Sequence, residues 1–486
     1  MIVTSKENKP VCVGLDVHKN NVWACVCTRD RTSENETLKF KTKKFNSNHT
    51  DLSRMCTWVI QTAAEKLGLK GAESADDIGS VEVYMESTGK YSTPVYNVCE
   101  EMGLQPYIVN PKHVRMISGQ KTDQKDCAWI AELGINNLLR CSCIPVRAIR
   151  DAKRLSRMRT KLVHGRADEI RRIQNILTEA NIRVDLIFSG IDGESARNVI
   201  EYLMEAEAPT LEEVQSRIRR TCKIMRYRSN EERKIKEEEL LKAFDGAKFS
   251  FSQKFELRAA YERLDDFSAQ IRSYEDMMKQ TLGSFKDKLV LLESVPGISV
   301  VSAMQILSEI GPDMSVFKNE KHFISWCGLC PQSNQSNNKH KSVKIGKGGY
   351  YLKPVLLQCA LNAVKDEYYA PKYKSISARR GKKRALIAIA RKMMVAVYHM
   401  FIKGELFNPN ETEVQETVDQ AEDSAQLLEE SEEQTVQNEA IRRTACDLLQ
   451  LTAEINPDIK TKVYELFEQL GCVGLLFNQT MSEPLI

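Results

Sequence analysis

VCVGLDVHKNNVWACVC, residues 11–27, reads as two apolar strands joined by a polar turn at His18 to Asn21. One residue breaks the pattern, because Asp16 interrupts an otherwise apolar first strand. Working outward, LKFKTKKF (38–45) adds a third strand. Residues 50–67 then take helical spacing through Leu52, Met55, Cys56, Val59, Ile60 and Ala63. VEVYMEST (81–88) is a buried strand, a helix follows over about 93–102, and LQPYIVN (104–110) is a further strand. A last helix runs from near Thr122 through Leu133. Three strands, helix, strand, helix, strand, helix is the order of an α/β domain with a mixed sheet, its later strands returning by helical crossovers.

The rest of the 486 residues is of another kind. From about 145 to 286 the chain is charged and helical, with two long periodic stretches that suit a coiled-coil arm or a helical hairpin. Residues 184–250 within it carry no clear pattern. Residues 287–404 form a second, mainly α-helical unit ending in KRALIAIARKMMVAVYHMF. Beyond it, residues 411–439 hold eleven acids and no Lys or Arg, as in a disordered or loosely helical linker, with a short helical cap expected over about 440–471. The predicted division is therefore 1–144, 145–286, 287–404 and 405–486.

Net charge is +4, and it is unevenly spread. Residues 405–486 carry 18 acidic against 4 basic side chains, which leaves 66 basic against 48 acidic in the remainder. Within 318–403 there are 18 Lys or Arg and three acids. A basic body suits a polyanionic partner, although a solvated basic face explains the same count. No run approaches eighteen uninterrupted apolar residues and no signal peptide precedes the first strand, so the expectation is a cytoplasmic protein with reduced thiols and no membrane partner.

Four carboxylates carry the chemistry. Asp16 lies in the first strand, Glu86 ends the central strand, and Asp123 and Asp126 are three apart and so share a helix face. Taken singly, Asp123 is also a helix N-terminal acid and Asp16 a turn residue. Brought together they would repel unless a cation neutralised them, and oxygen-only ligands select Mg²⁺ or Mn²⁺. Two such ions clamp the attacking and leaving oxygens of a phosphodiester. An acid in the first strand, one ending the fourth and more on the last helix is the arrangement of RNase H-like nucleases. A second feature, LLESVPGISVVSAMQILSEIG (291–311), reads as a helix-hairpin-helix, with Gly297 in its turn offering amides to a phosphate, or as an ordinary helical break.

GLDVHKN, YMESTGKY, VNPKHVR with KTDQKDCAWIA, LLESVPGIS, and WCGLCPQSNQSNNKHKS through GKGGYYLK together resemble the DEDD transposases of the IS110 family of insertion sequences, relatives of the Piv DNA invertases. The resemblance covers about 10–135 and 287–404. It implies a RuvC-like N-terminal domain with Asp16, Glu86, Asp123 and Asp126 as metal ligands, a coiled-coil arm, and a C-terminal domain with a nucleophilic serine. That serine would hold a broken DNA strand as a phosphoserine ester. The resemblance also implies dimers and tetramers in which one subunit's acids complete another's serine site. It further implies a structured noncoding guide RNA that pairs with target and donor DNA.

The family's serine is usually followed by two glycines and a lysine. Here the run is Ser336-Asn337-Asn338-Lys339, which makes Ser336 the nucleophile, with Ser333 and Ser342 as lesser candidates. Asn takes positive φ more readily than other non-glycine residues, so the loop geometry can survive. Lys339, Lys344 and Lys347 would neutralise nearby phosphate. Rival readings are a Cys327/Cys330 dithiol, a zinc site using that pair with His340, an architectural nucleic-acid binder, and a nuclease or junction resolvase that needs only the acids.

Overall fold

The computed structural model describes most of residues 9–409. Outside the description lie 1–8, 31–36, 70–73, 76–77, 79–80, 115–121, 184–187, 189, most of 207–247, 332–333, 337–338, 343–344, 347 and 410–486; for 334–336 and 339–342 only the backbone is described. Contacts group the chain into two units, Met1–Leu406 and Phe407–Ile486. The acidic linker, the helical cap and most of 207–250 therefore fall outside the described residues, as do Ser333, Lys344 and Lys347.

The N-terminal sheet holds β1 (Val11–Val17), β2 (Asn21–Asp30), β3 (Thr37–Asn46), β4 (Glu82–Glu86), β5 (Gln105–Val109) and β6 (Cys141–Ser142), in the order β3-β2-β1-β4-β5-β6. β1, β2 and β3 meander antiparallel; β4 joins β1 in parallel and β5 joins β4 in parallel. Both parallel joins follow a helix, α1 (His49–Leu67) before β4 and α2 (Ser92–Glu101) before β5. This mixed sheet is compatible with an RNase H-like domain. The two-residue β6, antiparallel to β5, is too short to show a sequence pattern.

Alternation sorts the strands onto two faces. Val13, Leu15, Val17, Val83 and Met85 pack with Leu52, Met55 and Ile60 of α1 and with Val95 and Cys99 of α2. Cys12, Cys25, Cys27 and Tyr84 lie on the opposite face beneath Cys127, Ile130 and Ala131 of α4 (Asp123–Ile135). A Cβ on Gly14 would stand 2.1 Å from the Cys127 carbonyl oxygen and 2.5 Å from the Ala131 nitrogen. Only a glycine lets α4 lie this close to β1. A short α3 (Pro111–Val114) precedes α4.

Past the sheet, α5 (Arg147–Glu179) is tied to α2 by an ion pair from Arg147 to Glu101 and one from Arg150 to Glu100 at 2.6 Å. It runs antiparallel to α7 (Phe251–Thr281): Arg159 meets Glu275 at 2.6 Å, and Arg263 meets Glu169 at 3.0 Å. The two long helices thus form an intrachain hairpin, closed at one end by Ile173, Leu177, Leu257 and Leu264 with Val199 and Leu203 of α6 (Glu194–Glu205).

The C-terminal region contains α8 (Lys286–Ser294), α9 (Val300–Ile310), α10 (Glu320–Trp326), a two-stranded sheet of β7 (Asn334–Ser336) and β8 (Lys339–Ser342), then α11 (Leu352–Ala363), α12 (Tyr369–Arg380) and α13 (Lys382–Lys403). Helix α13 is long and apolar enough by composition to cross a membrane, although basic residues interrupt its apolar run. Over half of that stretch, 56%, is buried inside the protein, with Ile389, Met393, Met394 and Val397 against the neighbouring helices. It is the central helix of this region.

Candidate metal and strand-transfer site

The site begins with the ends of β1 and β4. Asp16 alternates onto the face covered by α4, and Glu86 lies on that same face two residues beyond Tyr84. The parallel register pairs Leu15 with Met85, so Asp16 and Glu86 are each the next residue along adjacent strands. Helix α4 starts directly above. The Thr122 side chain caps it by accepting the Lys125 amide, and Asp123 and Asp126 occupy its first turn. The close packing at Gly14 holds that turn over the strand end.

Asp16 is only 7% exposed. Its carboxyl is pushed up from the ordinary carboxylate range, first by burial and then by the charges of Asp123 and Asp126, while the nearby His18 opposes the rise. His18, which the sequence presents only as a turn residue, joins this group. Its Nε2 lies 3.0 Å from Asp16 Oδ2 and 3.6 Å from Asp123 Oδ2. Its amide closes the β1–β2 turn on the Asn21 carbonyl at 2.9 Å, which fixes where the ring can reach. The sequence signal for it is the alternation itself: Asp16 and His18 are two apart at a strand end and so share a face.

Asp16, His18 and Asp123 form the one group of candidate metal-ligating side chains among the described residues. A buried carboxylate with two acids in its field and a nitrogen already between two carboxylates is a donor set that could hold a divalent cation. Neither Cys327 nor Cys330 belongs to any such group among the described residues. Cys327 follows the C-terminal end of α10, is fully buried, and burial pushes its thiol well up. A redox dithiol needs the opposite setting, an exposed thiolate at a helix N-terminus.

The polar run after Cys330 is a hairpin, with Ser336 ending β7 and paired with Lys339 at the start of β8. Two residues separate them, Asn337 and Asn338, the type that two-residue hairpin connections favour after glycine. The hairpin's base is anchored below. Pro331 bridges Ile345, and the Gly346 amide reaches the Cys330 carbonyl at 3.4 Å. Lys353 Nζ donates to the Gly346 carbonyl at 2.6 Å. A Cβ on Gly328 (φ 75°) would meet the Gly348 oxygen at 2.5 Å, and one on Gly349 (φ 67°) the Cys327 oxygen at 2.3 Å. The WCGLC turn and the GKGG segment are therefore pressed backbone to backbone. The hairpin belongs to a sheet separate from the one that bears the acids.

Gly297 (φ 90°) lies between α8 and α9. The structure adds a packing reason for it, since a Cβ there would lie 2.5 Å from the Cys359 oxygen of α11.

A mixed sheet with Asp16, His18 and Asp123 gathered at the end of β1, followed by a mostly helical region, is a two-part arrangement whose first part is compatible with an RNase H-like domain. Residues 13–182 match a family described as a DEDD transposase of IS110 type, and residues 289–375 match the Transposase IS116/IS110/IS902 family. The two matches together cover just over half of the chain, and the protein belongs to this transposase family. It is also similar to the pilin gene-inverting proteins of Moraxella bovis and Moraxella lacunata. Each is 32% identical over 123 residues, which are 24% of this chain and 38% of the relative. The match thus spans about two fifths of those relatives' length.

Proposed function

We propose that the protein is a DNA transposase or site-specific recombinase of an insertion sequence, cutting and rejoining DNA through a phosphoserine intermediate. The observation that carries this reading is the cluster of Asp16, His18 and Asp123 at the strand ends, with Glu86 and Asp126 beside it, in a chain of the transposase family. Ser336 Oγ attacks a DNA phosphorus, and the bond from phosphorus to a deoxyribose oxygen breaks. That oxygen leaves as a hydroxyl after taking up a proton, and the strand stays esterified to the serine. A hydroxyl of the new strand then attacks the same phosphorus and displaces Ser336 Oγ, which regains its proton. One phosphoester is exchanged for another at each step, so no ATP is needed.

Asp16, Glu86, Asp123 and Asp126 would hold Mg²⁺ or Mn²⁺, which supplies polarisation of the phosphoryl oxygens when bound. The protein's own contribution is to fix these carboxylates on rigid elements before substrate arrives, and to place His18 Nε2 where it can hold a proton against Asp16 Oδ2. Lys339, Lys344 and Lys347 neutralise phosphate around the serine, and the turn at Gly297 presents amides to the backbone. The family resemblance extends the reading to a homodimer that assembles to a tetramer, one subunit's acids facing another's serine. A structured RNA from the element's own end guides target and donor choice, and the protein acts in the cytoplasm where this DNA lies.

The test is direct. Ser336→Ala is expected to abolish recombination and any covalent protein–DNA adduct while leaving the fold intact, and Asp126→Ala to remove metal-dependent activity. Full recombination by Ser336→Ala would overturn the serine assignment. The acids alone also support a second reading, a metal-dependent nuclease or junction resolvase, which predicts that Ser336→Ala still nicks DNA.

A further inference from the structure

One row of side chains runs from the acid cluster to the edge of the sheet. Asp16 pairs with Trp23 across β1 and β2, and Trp23 pairs with Lys44 across β2 and β3. Directly paired residues of an antiparallel ladder project to the same face, so all three lie on the side that α4 covers. The rows behind them are occupied. α4 sits on Gly14, whose partners across the sheet are Cys25 and then Thr42, and Gln124 Nε2 of its first turn donates to Thr42 Oγ1 at 2.8 Å. The row of Asp16, Trp23 and Lys44 is the first one beyond the start of that helix.

Its composition is that of a nucleic-acid platform. Trp23 is half-buried against the core under α4, and Lys44 Nζ lies 5.8 Å from its ring centre. Lys44 is exposed and makes no ion pair among the described residues. The strand that carries it, TLKFKTKKFN, holds no acid, and of its four lysines Lys44 is the one on this face, since Lys39, Lys41 and Lys43 pair with Thr28, Val26 and Ala24 on the other. Neighbouring strands are spaced by about 4.8 Å, so Lys44 stands on the order of 10 Å from Asp16, within the length of a dinucleotide.

We propose that Trp23 and Lys44 form a single-strand DNA ledge that leads the substrate strand into the acid cluster. Trp23 stacks on a base flanking the scissile phosphate, and Lys44 meets the next phosphate outward. A strand entering across α4 would meet its packed helix, and one entering beyond β4 would meet on this face a cation, Lys9, already engaged by Tyr84 and Glu82 of that strand. The inference rests on the acids acting on a phosphodiester, and it names how that phosphodiester is delivered.

The experiment measures binding rather than chemistry. Full-length protein is titrated, in chelator, against a fluorescein-labelled oligothymidylate by fluorescence anisotropy over a range of salt. Lys44→Ala is expected to weaken binding severalfold and to flatten the log–log salt dependence by about 0.7. Trp23→Ala is expected to weaken it by roughly five- to a hundredfold, as befits one unstacked base, with Trp23→Phe restoring most of the affinity because a ring remains. Circular dichroism identifies a Trp23→Ala protein that has not folded; Trp23→Phe and Lys44→Ala then decide. A 5-bromouracil placed next to the scissile position should photocrosslink to Trp23. If wild type binds the oligonucleotide and both alanine variants bind it equally well, the ledge does not exist, whatever the acids do. Tighter binding of oligouridylate than of oligothymidylate would overturn the assignment to DNA. Failure of the wider reading shows up separately, as absence of any metal-dependent product from element-end DNA with the wild-type protein.

Discussion

Asp16 is held where an isolated carboxylate would not choose to sit: nearly enclosed, beside two further acids, with His18 opposing them. Its carboxyl is raised, so folding favours the protonated form, and the cost of ionising it in the fold grows as pH rises above the ordinary carboxylate value of about 3.9. In chelator, Asp16→Asn should therefore raise the melting temperature at neutral pH, and the gain should vanish as pH falls below about 4, where the unfolded carboxyl is protonated too. Added Mg²⁺ should stabilise wild type and leave the variant unmoved. A variant that melts lower than wild type at pH 7 would show that Asp16 is a structural anchor instead. Here the sequence was legible: a lone acid in an apolar strand has few reasons to be there. His18 was less so, because a histidine at a turn is usually solvent-facing, and its role depends on how α4 crosses the strand.

Among elements, the joint that matters most is between α5 and α9. Glu309 is 8% exposed, and Arg157 of α5 donates to both its oxygens, at 2.8 and 3.1 Å, while Lys153 approaches at 3.2 Å. The same Arg157 guanidinium lies 4.5 Å over Tyr351, next to the glycines that carry the base of the serine hairpin. The helical arm is thereby fastened to the region that presents Ser336. A double-mutant cycle with Arg157→Met and Glu309→Leu, measured by urea denaturation, should give a coupling of about 1–3 kcal/mol, kept from the higher values of buried pairs by the partial exposure of Arg157. Additive effects of the two substitutions would mean the arm merely rests on the helix. Nothing in LLESVPGISVVSAMQILSEIG marks Glu309 as buried, since its partners lie about 150 residues earlier. The hairpin 334–342 was equally hidden, because a polar run without apolar alternation carries no strand signal. By contrast β1, β3, β4, β5 and α4 were readable to within a residue or two, each written in an apolar period bounded by turn or cap residues, while β2 runs three residues past its expected end at Cys27.

For the molecule as a whole, charge is the organising quantity. The corner between α12 and α13 gathers Arg379, Arg380, Lys382, Lys383 and Arg384 around Gly381, all exposed and without an ion pair among the described residues. If this corner rides on a DNA or RNA backbone, replacing all five with glutamine should reduce the slope of log K against log salt by about 0.9 for each duplex phosphate that the corner had neutralised. Sequence preference should be left alone, because side chains that grip phosphate carry no base information. An unchanged slope would place the nucleic acid elsewhere.

The backbone clamp between Gly328 and Gly349 bears on how such a protein can diversify. Among the described residues, the contacts that hold the serine hairpin lie at its base, where the backbones around Gly328 and Gly349 leave no room for a side chain. New tips can therefore be tried by insertion, deletion or graft without retuning the helices beneath. A library that randomises 337–338 while keeping Ser336, Lys339 and the WCGLC and GKGG frame would explore altered strand-exchange behaviour at almost no cost in stability.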